Sequence, residues 1–424
     1  MKSFFLVLLT CAVASAEVRT MTLQQAVATA LTQNPDVLLA KLDQQKAQQQ
    51  VTIAHDPFAP KLFAGSGAAY TYGFPASIDG SGPSIIQTRA SMALFNRPQK
   101  YLVDQAKEGI KGAEIDVARR QEEVAYRVAT LFLNVEQISR SIEAAGRRTA
   151  SLTRVSELMT QRVAEGRELP LEGKKANLAI LRAKQQMETL ALDLESGEIS
   201  LALAVGLTAA DRVQPAAAER APVGVPESEQ ASIDQAMANS SELKGLQSSI
   251  ESKVLQGKSN RSEWLPKVDL IAQYALFGKY NYANYFQTFQ HNNAEIGASI
   301  QFPILLGHQH SALASQADTD IAKLRIEAAR TRERISADTR AAYGNLKRAE
   351  SGRELARADL DLAREELSVT LALMDEGRVP LASVEAARAA EDEKWLAYYE
   401  AQRAAETARL NILRQTGMLE AALR

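Results

Sequence analysis

The chain has 424 residues, of which 46% are hydrophobic and 24% charged, enough apolar material for two or three ordinary domains or one large repetitive one. Lys and Arg number 49 against 51 Asp and Glu, a formal charge of −2, so no basic surplus points to nucleic acid. Only 22 Gly and 13 Pro interrupt it, which favours long unbroken helices over a succession of turns.

The first element in chain order is an address. Lys2, the apolar run Phe4 to Leu9 and the small-x-small Ala14-Ser15-Ala16 predict an export signal over residues 1–16. Cleavage after Ala16 removes Cys11, the sole cysteine, leaving no disulfide or thiol chemistry. No later run reaches the ~18 apolar residues of a membrane helix, so any crossing must use β-strands.

The rest of the chain reads as a tandem repeat, 17–207 and 230–424, joined by a Pro-bearing connector at 208–229. Glu165-Gly166-Arg167 returns as Glu376-Gly377-Arg378, and Ala118-Arg119 as Ala329-Arg330. Thr22-Leu23-Gln24-Gln25-Ala26 matches Ser232-Ile233-Asp234-Gln235-Ala236, and Pro60-Lys61-Leu62 matches Pro266-Lys267-Val268. In the first repeat a capping box at Thr22-x-x-Gln25 opens a helix, Asn34-Pro35 interrupts it, and it ends near Asp56-Pro57. Strands are predicted at 61–74 and 85–95, a long helix at 97–165, a Gly166–Pro170 turn and a return helix at 171–205. The second repeat gives a capping box at Ser232-x-x-Gln235, strands at 267–277 and 294–304, and a long helix at 306–376. A Gly377–Pro380 turn and a return helix at 381–416 complete it, with Gly206 and Gly417 where C-terminal caps belong.

Val124, Val128, Leu131, Val135, Ile138, Ile142 and Ala145 step by alternating fours and threes, a heptad seam. A helix of ~69 residues is about 100 Å long at ~1.5 Å per residue, beyond any single globular core. The return helix of ~36 residues, stacked on the ~21-residue helix before the strands, reaches about 85 Å, which nearly matches it. The return helices carry Ala on several faces (Ala386, Ala387, Ala389 and Ala390 among them), as a helix with neighbours on both sides requires.

The strands alternate. Gln87, Arg89 and Ser91 oppose Ile86, Ala90 and Met92; Gln273 opposes Ala272 and Tyr274; Glu295, Ser299 and Gln301 oppose Ile296, Ala298 and Ile300. Polar-in and apolar-out is the pattern of a transmembrane barrel, with those seven polar residues lining its lumen. Four strands cannot close a barrel, which needs ~8 or more, and lipid does not tolerate open edges, so this reading demands an oligomer. Residues 75–83 and 278–293 are the expected external loops, the second the longer. No G-x-x-x-x-G-K-[ST], H-E-x-x-H or G-x-S-x-G motif marks an enzyme, and no cofactor is implied. His308 and His310 lack a third ligand for a metal. Arg119, Glu122, Arg330 and Glu333 are expected as inter-helix ion pairs. The competing class is a periplasmic coiled-coil scaffold or pump adaptor, though this chain has two hairpins and none of an adaptor's flanking modules.

The ordered set of Leu23-Gln24-Gln25-Ala26 with Asn34-Pro35, Pro60-Lys61-Leu62, Leu305-Leu306-Gly307 and the paired Gly turns resembles the TolC-like outer-membrane efflux proteins. The resemblance implies a mainly α fold with a small β part: duplicated helical hairpins forming a trimeric α-barrel, and four strands per chain in a shared transmembrane β-barrel. It implies a homotrimer in the outer membrane, in contact with its lipid and with a large periplasmic part, exporting small toxic compounds or proteins. The partners would be a periplasmic adaptor and an inner-membrane pump of RND or ABC type. The adaptor would dock at the turns carrying Gly166, Arg167, Pro170, Gly377, Arg378 and Pro380. Some members carry Asp six and nine positions after the second-turn Gly, at the aperture. Those positions are Ser383 and Ala386 here, and neighbouring Glu385 lies on another helix face, so an acidic gate is not expected.

Overall fold

The computed structural model describes residues 18–67, 84–216, 224–277 and 292–423. The expected export signal, the loop at 75–83 and most of 278–293 lie outside the described residues. In chain order the elements are β1 (Val18–Met21), α1 (Leu23–Gln33), α2 (Pro35–His55), β2 (Lys61–Gly67), β3 (Ser84–Phe95), α3 (Arg97–Ala164) and α4 (Pro170–Val205). Then come β4 (Arg212–Pro215), α5 (Glu229–Asn239), α6 (Ser241–Arg261), β5 (Lys267–Phe277), β6 (Asn292–Gln301), α7 (Gln309–Asp375), α8 (Leu381–Gln415) and α9 (Leu419–Leu423).

Two compact units divide the chain, and each draws on both repeats. The first holds residues up to Ala40, Val117–Ser241 and Arg332 onward. Its core is built where the heptad seam of α3 meets α1, the end of α4 and the end of α8. Val124, Val128, Phe132 and Val135 are almost fully buried with Val27, Ala30, Leu201, Val205 and Leu413. Burial of such side chains contributes roughly 1.5–3 kcal/mol each, which makes this seam the main anchor of the unit. β1 pairs in parallel with β4, which puts Val213 into the core.

Two joints of the same design hold the return helices in this unit. Asn34, at the break between α1 and α2, donates from Nδ2 to the Ala204 carbonyl at 2.8 Å. Gly206 follows in the left-handed region at φ 98, and a Cβ there would come within 2.7 Å of the Gln33 backbone. In the second repeat Asn239 Nδ2 donates to the Thr416 carbonyl at 2.8 Å, and a Cβ on Gly417 would meet the Asn239 Cβ at 2.8 Å. Both glycines are thus required by close approach as well as by positive φ.

The second unit holds Lys41–Asp116 and Glu242–Thr331. α6 packs on α3 through small residues: Ser248 Oγ donates to the Glu108 carbonyl at 3.3 Å and Ser259 Oγ to the Pro98 carbonyl at 3.0 Å. Its sheet is antiparallel throughout, in the order β2-β3-β5-β6.

Several expectations need correction. The second repeat does not open on a Ser232 capping box. Ser228 is the N-cap, its Oγ accepting from Ala231 N at 3.1 Å, and Ser232 is a buried residue one turn inside α5. Matching Thr22 to Ser232 sets the two segments one helical turn out of phase. Thr22 corresponds to Ser228, which makes α1 and α5 the same length, as are α2 and α6. Thr22 itself makes the full capping box with Gln25. The extra residues of the second repeat do not lengthen its strand-to-strand loop. They lie after β6, where residues 302–308 connect to α7, whereas Asn96 alone joins β3 to α3. β6 ends at Gln301, not 304, and α7 starts at Gln309, not 306, because Pro303 and the positive φ of Gly307 separate them. The connector contains β4. Arg119 also meets Glu123, one turn along its own helix, at 3.8 Å.

Candidate functional site: the polar sheet face and the helix turns

The register brings all seven predicted lumen residues onto one face. Arg89 lies opposite Gln273, and Gln273 opposite Glu295. Along the same face come Gln87 opposite Gly65 and Ala275, Ser91 opposite Lys61 and Ile271, Ser299 opposite Asp269, and Gln301 opposite Lys267. This face carries cations (Lys61, Arg89, Lys267) and anions (Asp269, Glu295), and two of the cations pair outside the sheet, Lys61 with Asp56 and Lys267 with Glu263. The other face holds Leu62, Ala64, Ala90, Met92, Leu270, Ala272, Ile296 and Ile300; Leu62 is 75% exposed and Ile296 82%. An exposed face this apolar has no place in water. β2 and β6 form the two sheet edges, and the outer side of each is unpaired among the described residues. No described helix is long and apolar enough to cross a membrane.

The two turns close on the same geometry. Gly166 N donates to Val163 O at 3.1 Å and Arg167 N to Arg162 O at 2.8 Å; Gly377 N donates to Met374 O and Arg378 N to Leu373 O, both at 2.8 Å. These are Schellman caps, with both glycines at φ above 70°. Nothing lies within 4 Å of where either glycine's Cβ would be. Arg167 and Arg378 each pair loosely with the glutamate two residues before, at 3.0 and 3.3 Å, and are largely exposed. Pro170 is the first residue of α4, as its missing N–H permits, while Pro380 is the N-cap residue of α8 and stands just outside it.

Beyond the second turn, Ser383 is half-buried and Ala386 exposed, while Glu385 turns inward to α3 and is 2% exposed. Arg154 donates to Glu385 at 2.9 Å and Arg388 to its other oxygen at 3.0 Å. One heptad further, Arg147 Nε donates to the buried Asp392 at 3.0 Å, and Arg148 Nη2 to Glu393 at 2.9 Å. The two carboxyls respond differently. Burial raises the Glu385 carboxyl, but hydrogen bonds from Arg154 and Ser151 and the charges of Arg154 and Arg388 outweigh it, and the net position is below the ordinary value. At Asp392 burial prevails over Arg147, and the carboxyl is raised. Sequence reasoning misses this arginine–carboxylate ladder, because the partners lie more than 200 residues apart. No group of three or more His, Cys, Asp or Glu suited to a metal occurs among the described residues.

Long helical hairpins joined to an antiparallel sheet with one polar and one apolar face make an outer-membrane channel subunit. Residues 26–207 match the family model described as Outer membrane efflux protein. Among solved structures it is similar to a membrane protein from Pseudomonas aeruginosa, at 16% identity and a TM-score of 0.75, covering 93% of each chain. It is similar to the CmeC outer membrane channel of Campylobacter jejuni, at 14% identity and a TM-score of 0.75, covering 94% of this chain and 86% of that one. The outer membrane protein VceC of Vibrio cholerae matches at 14% identity and a TM-score of 0.72, covering 93% and 96%. At these identities the likeness is one of fold. No curated protein matches the chain.

Proposed function

We propose that three copies of this chain share one twelve-stranded barrel and that the resulting efflux channel takes its cargo from an inner-membrane pump through a periplasmic adaptor docked at the Gly166 and Gly377 turns. The observation that carries the reading is the four-stranded sheet with an apolar face and two unpaired edges. In lipid such edges must be paired. β2 and β6 run in opposite directions, so β6 of one copy can pair antiparallel with β2 of the next without reversing any strand. Gln87, Arg89, Ser91, Gln273, Glu295, Ser299 and Gln301 then line the lumen. Arg167 and Arg378 offer six exposed cations per trimer to the adaptor, on turns with open space around both glycines. The cargo is a small toxic compound or a protein, and the pump of RND or ABC type. Native mass in detergent, measured together with export of a toxic dye by cells, tests both parts. A trimer is expected, and Arg378→Glu or Gly377→Trp should abolish export at unchanged trimer yield. A monomer with intact strand content overturns the shared barrel; normal export in both variants overturns docking at the turns.

A further inference from the structure

In the first unit α4 comes close to α3 at Gly197, where a Cβ would lie 3.0 Å from Val135 Cγ2. The next residue, Glu198, shares a helix face with Leu201, Ala202 and Val205, all buried in the core. That pattern calls for an apolar side chain. A carboxylate stands there instead, only 4% exposed. Among the described residues it has no hydrogen-bond or ion-pair partner. Burial of a charge without a partner is costly, so such a group points to something that completes it. Glu198 lines a cavity of about 370 Å³, shared with Glu136, Ser139, Arg140 and Glu143 of α3, with Leu194 one turn back on α4, and with Pro215 at the end of β4.

The second repeat shows what is missing. Equivalent positions in this stretch are 211 apart, as are Gly166 and Gly377, or Gly206 and Gly417. Glu198 therefore corresponds to Arg409, and Ser139 to Glu350. In the second repeat these two join α8 to α7, Arg409 Nη2 donating to Glu350 at 2.9 Å. In the first repeat the anion sits on the return helix, and the long helix offers only a hydroxyl, which cannot neutralise it. A cation on an aliphatic arm is absent. Arg140 does not supply it, because its Nη2 donates to Glu136 at 2.7 Å. Glu143 lies one heptad beyond Glu136 on the same face of α3, about 10 Å along the axis at ~1.5 Å per residue. It is exposed and also has no partner among the described residues. The cavity thus has one unpaired carboxylate in its depth and another at its rim, with apolar wall from Leu194 and Pro215. No group of three His, Cys, Asp or Glu suited to a metal includes them, so the fitting cation is one carried on an organic molecule.

We propose that this cavity binds an aliphatic diamine, with one ammonium against Glu198 beside Ser139 and the other against Glu143, its methylene chain lying along Leu194 and Pro215. The site is built wholly from the first unit and does not depend on the shared barrel or on docking at the turns.

Titrating 1,5-diaminopentane onto the detergent-extracted full chain, with the unfolding midpoint as readout, tests it. The midpoint should rise and saturate, as it does for a ligand held only by the folded state. Glu198→Gln should raise the midpoint of the ligand-free protein, since it removes an unpaired buried charge at nearly constant volume, and should abolish the response to the diamine. Glu143→Gln should weaken the apparent affinity several-fold, and 1-aminopentane, with a single ammonium, should bind the wild type several-fold more weakly than the diamine. Glu188→Gln, on an exposed part of α4, loses the same charge and should keep the full response. No response in the wild type, or an equal one in Glu198→Gln, overturns the site. A matching response to magnesium or calcium chloride overturns the ligand class in favour of a metal. A lower ligand-free midpoint in Glu198→Gln means that the carboxylate already has a partner in the fold, and loss of trimer by native mass in that variant means that the partner is a neighbouring copy; either overturns the proposal.

Discussion

Glu385 and Asp392 are both nearly inaccessible, face arginines from the same helix, and yet move in opposite directions. The difference lies in how many donors each receives. Because the folded Glu385 sits below its ordinary value, its contribution to stability is fully present above the usual carboxyl range and is lost as pH falls through the folded value. Asp392 has the opposite sign: the fold favours its protonated form, so its contribution is present at low pH and is lost as pH rises through the folded value. Glu385→Gln should therefore destabilise the protein by about 1–3 kcal/mol at neutral pH, with the difference from wild type shrinking towards pH 4. Asp392→Asn should cost less at neutral pH, where the buried charge is itself unfavourable. Thermal unfolding of the detergent-extracted protein at the two pH values measures both. Arginine loss is expected to matter less than carboxylate loss, since Arg154 is half exposed and screened by water. Glycines separate just as clearly. Gly206→Ala places a Cβ against backbone at φ 98 and should destabilise by about 1–3 kcal/mol. Gly146→Ala, inside α3 with open space around it, should stabilise by about 0.5–1 kcal/mol, by the same unfolding measurement.

Among elements, the cap of α5 shows where a sequence motif misleads. Ser-x-x-Gln occurs at Ser232, and Ser228 four residues earlier lacks the Gln, so the motif favours the wrong turn. The Pro60 and Pro266 match, carried back unchanged, lands on Ser228 and decides it. Ser228→Ala should cost about 1 kcal/mol by loss of the cap, and more than Ser232→Ala, seen in the unfolding midpoint. The long helices were legible to within three residues because a heptad seam repeats its signal many times over. β1 and β4 were not, since four residues are too few to show alternation. The polar sheet face was legible for a different reason: side chains alternate with period two, and any antiparallel register that pairs like faces keeps the polar residues together. What could not be read was pairing between helices far apart in the chain. Arg147 and Arg154 are seven apart, as are Glu385 and Asp392, but that spacing is common in any charged helix. Only the packing of α8 on α3 selects these partners.

For the whole molecule, the sheet leaves the outer sides of β2 and β6 unpaired among the described residues, and the trimer proposed above would pair them. Cell-surface labelling offers an independent check on orientation. An epitope inserted at Asp79 or Asn284, which lie outside the described residues, should be reached by antibody on intact cells; protection at both positions would reverse the orientation.

The paired asparagine–glycine joints carry a consequence for how the chain acquires its fold. Asn34 reaches the Ala204 carbonyl 170 positions away, and Asn239 reaches Thr416 across 177. Closing a flexible loop of that size costs about 2 kcal/mol more than closing one of ~20 residues, and nothing repays the difference until the contact is made. The long helices can form early from local contacts alone, but neither repeat can be locked until its last turn has arrived. Folding should accordingly be slow and late-committing, with helices present well before the joints. Weakening Asn34 should delay the appearance of assembled protein after export, even where the final yield is unchanged.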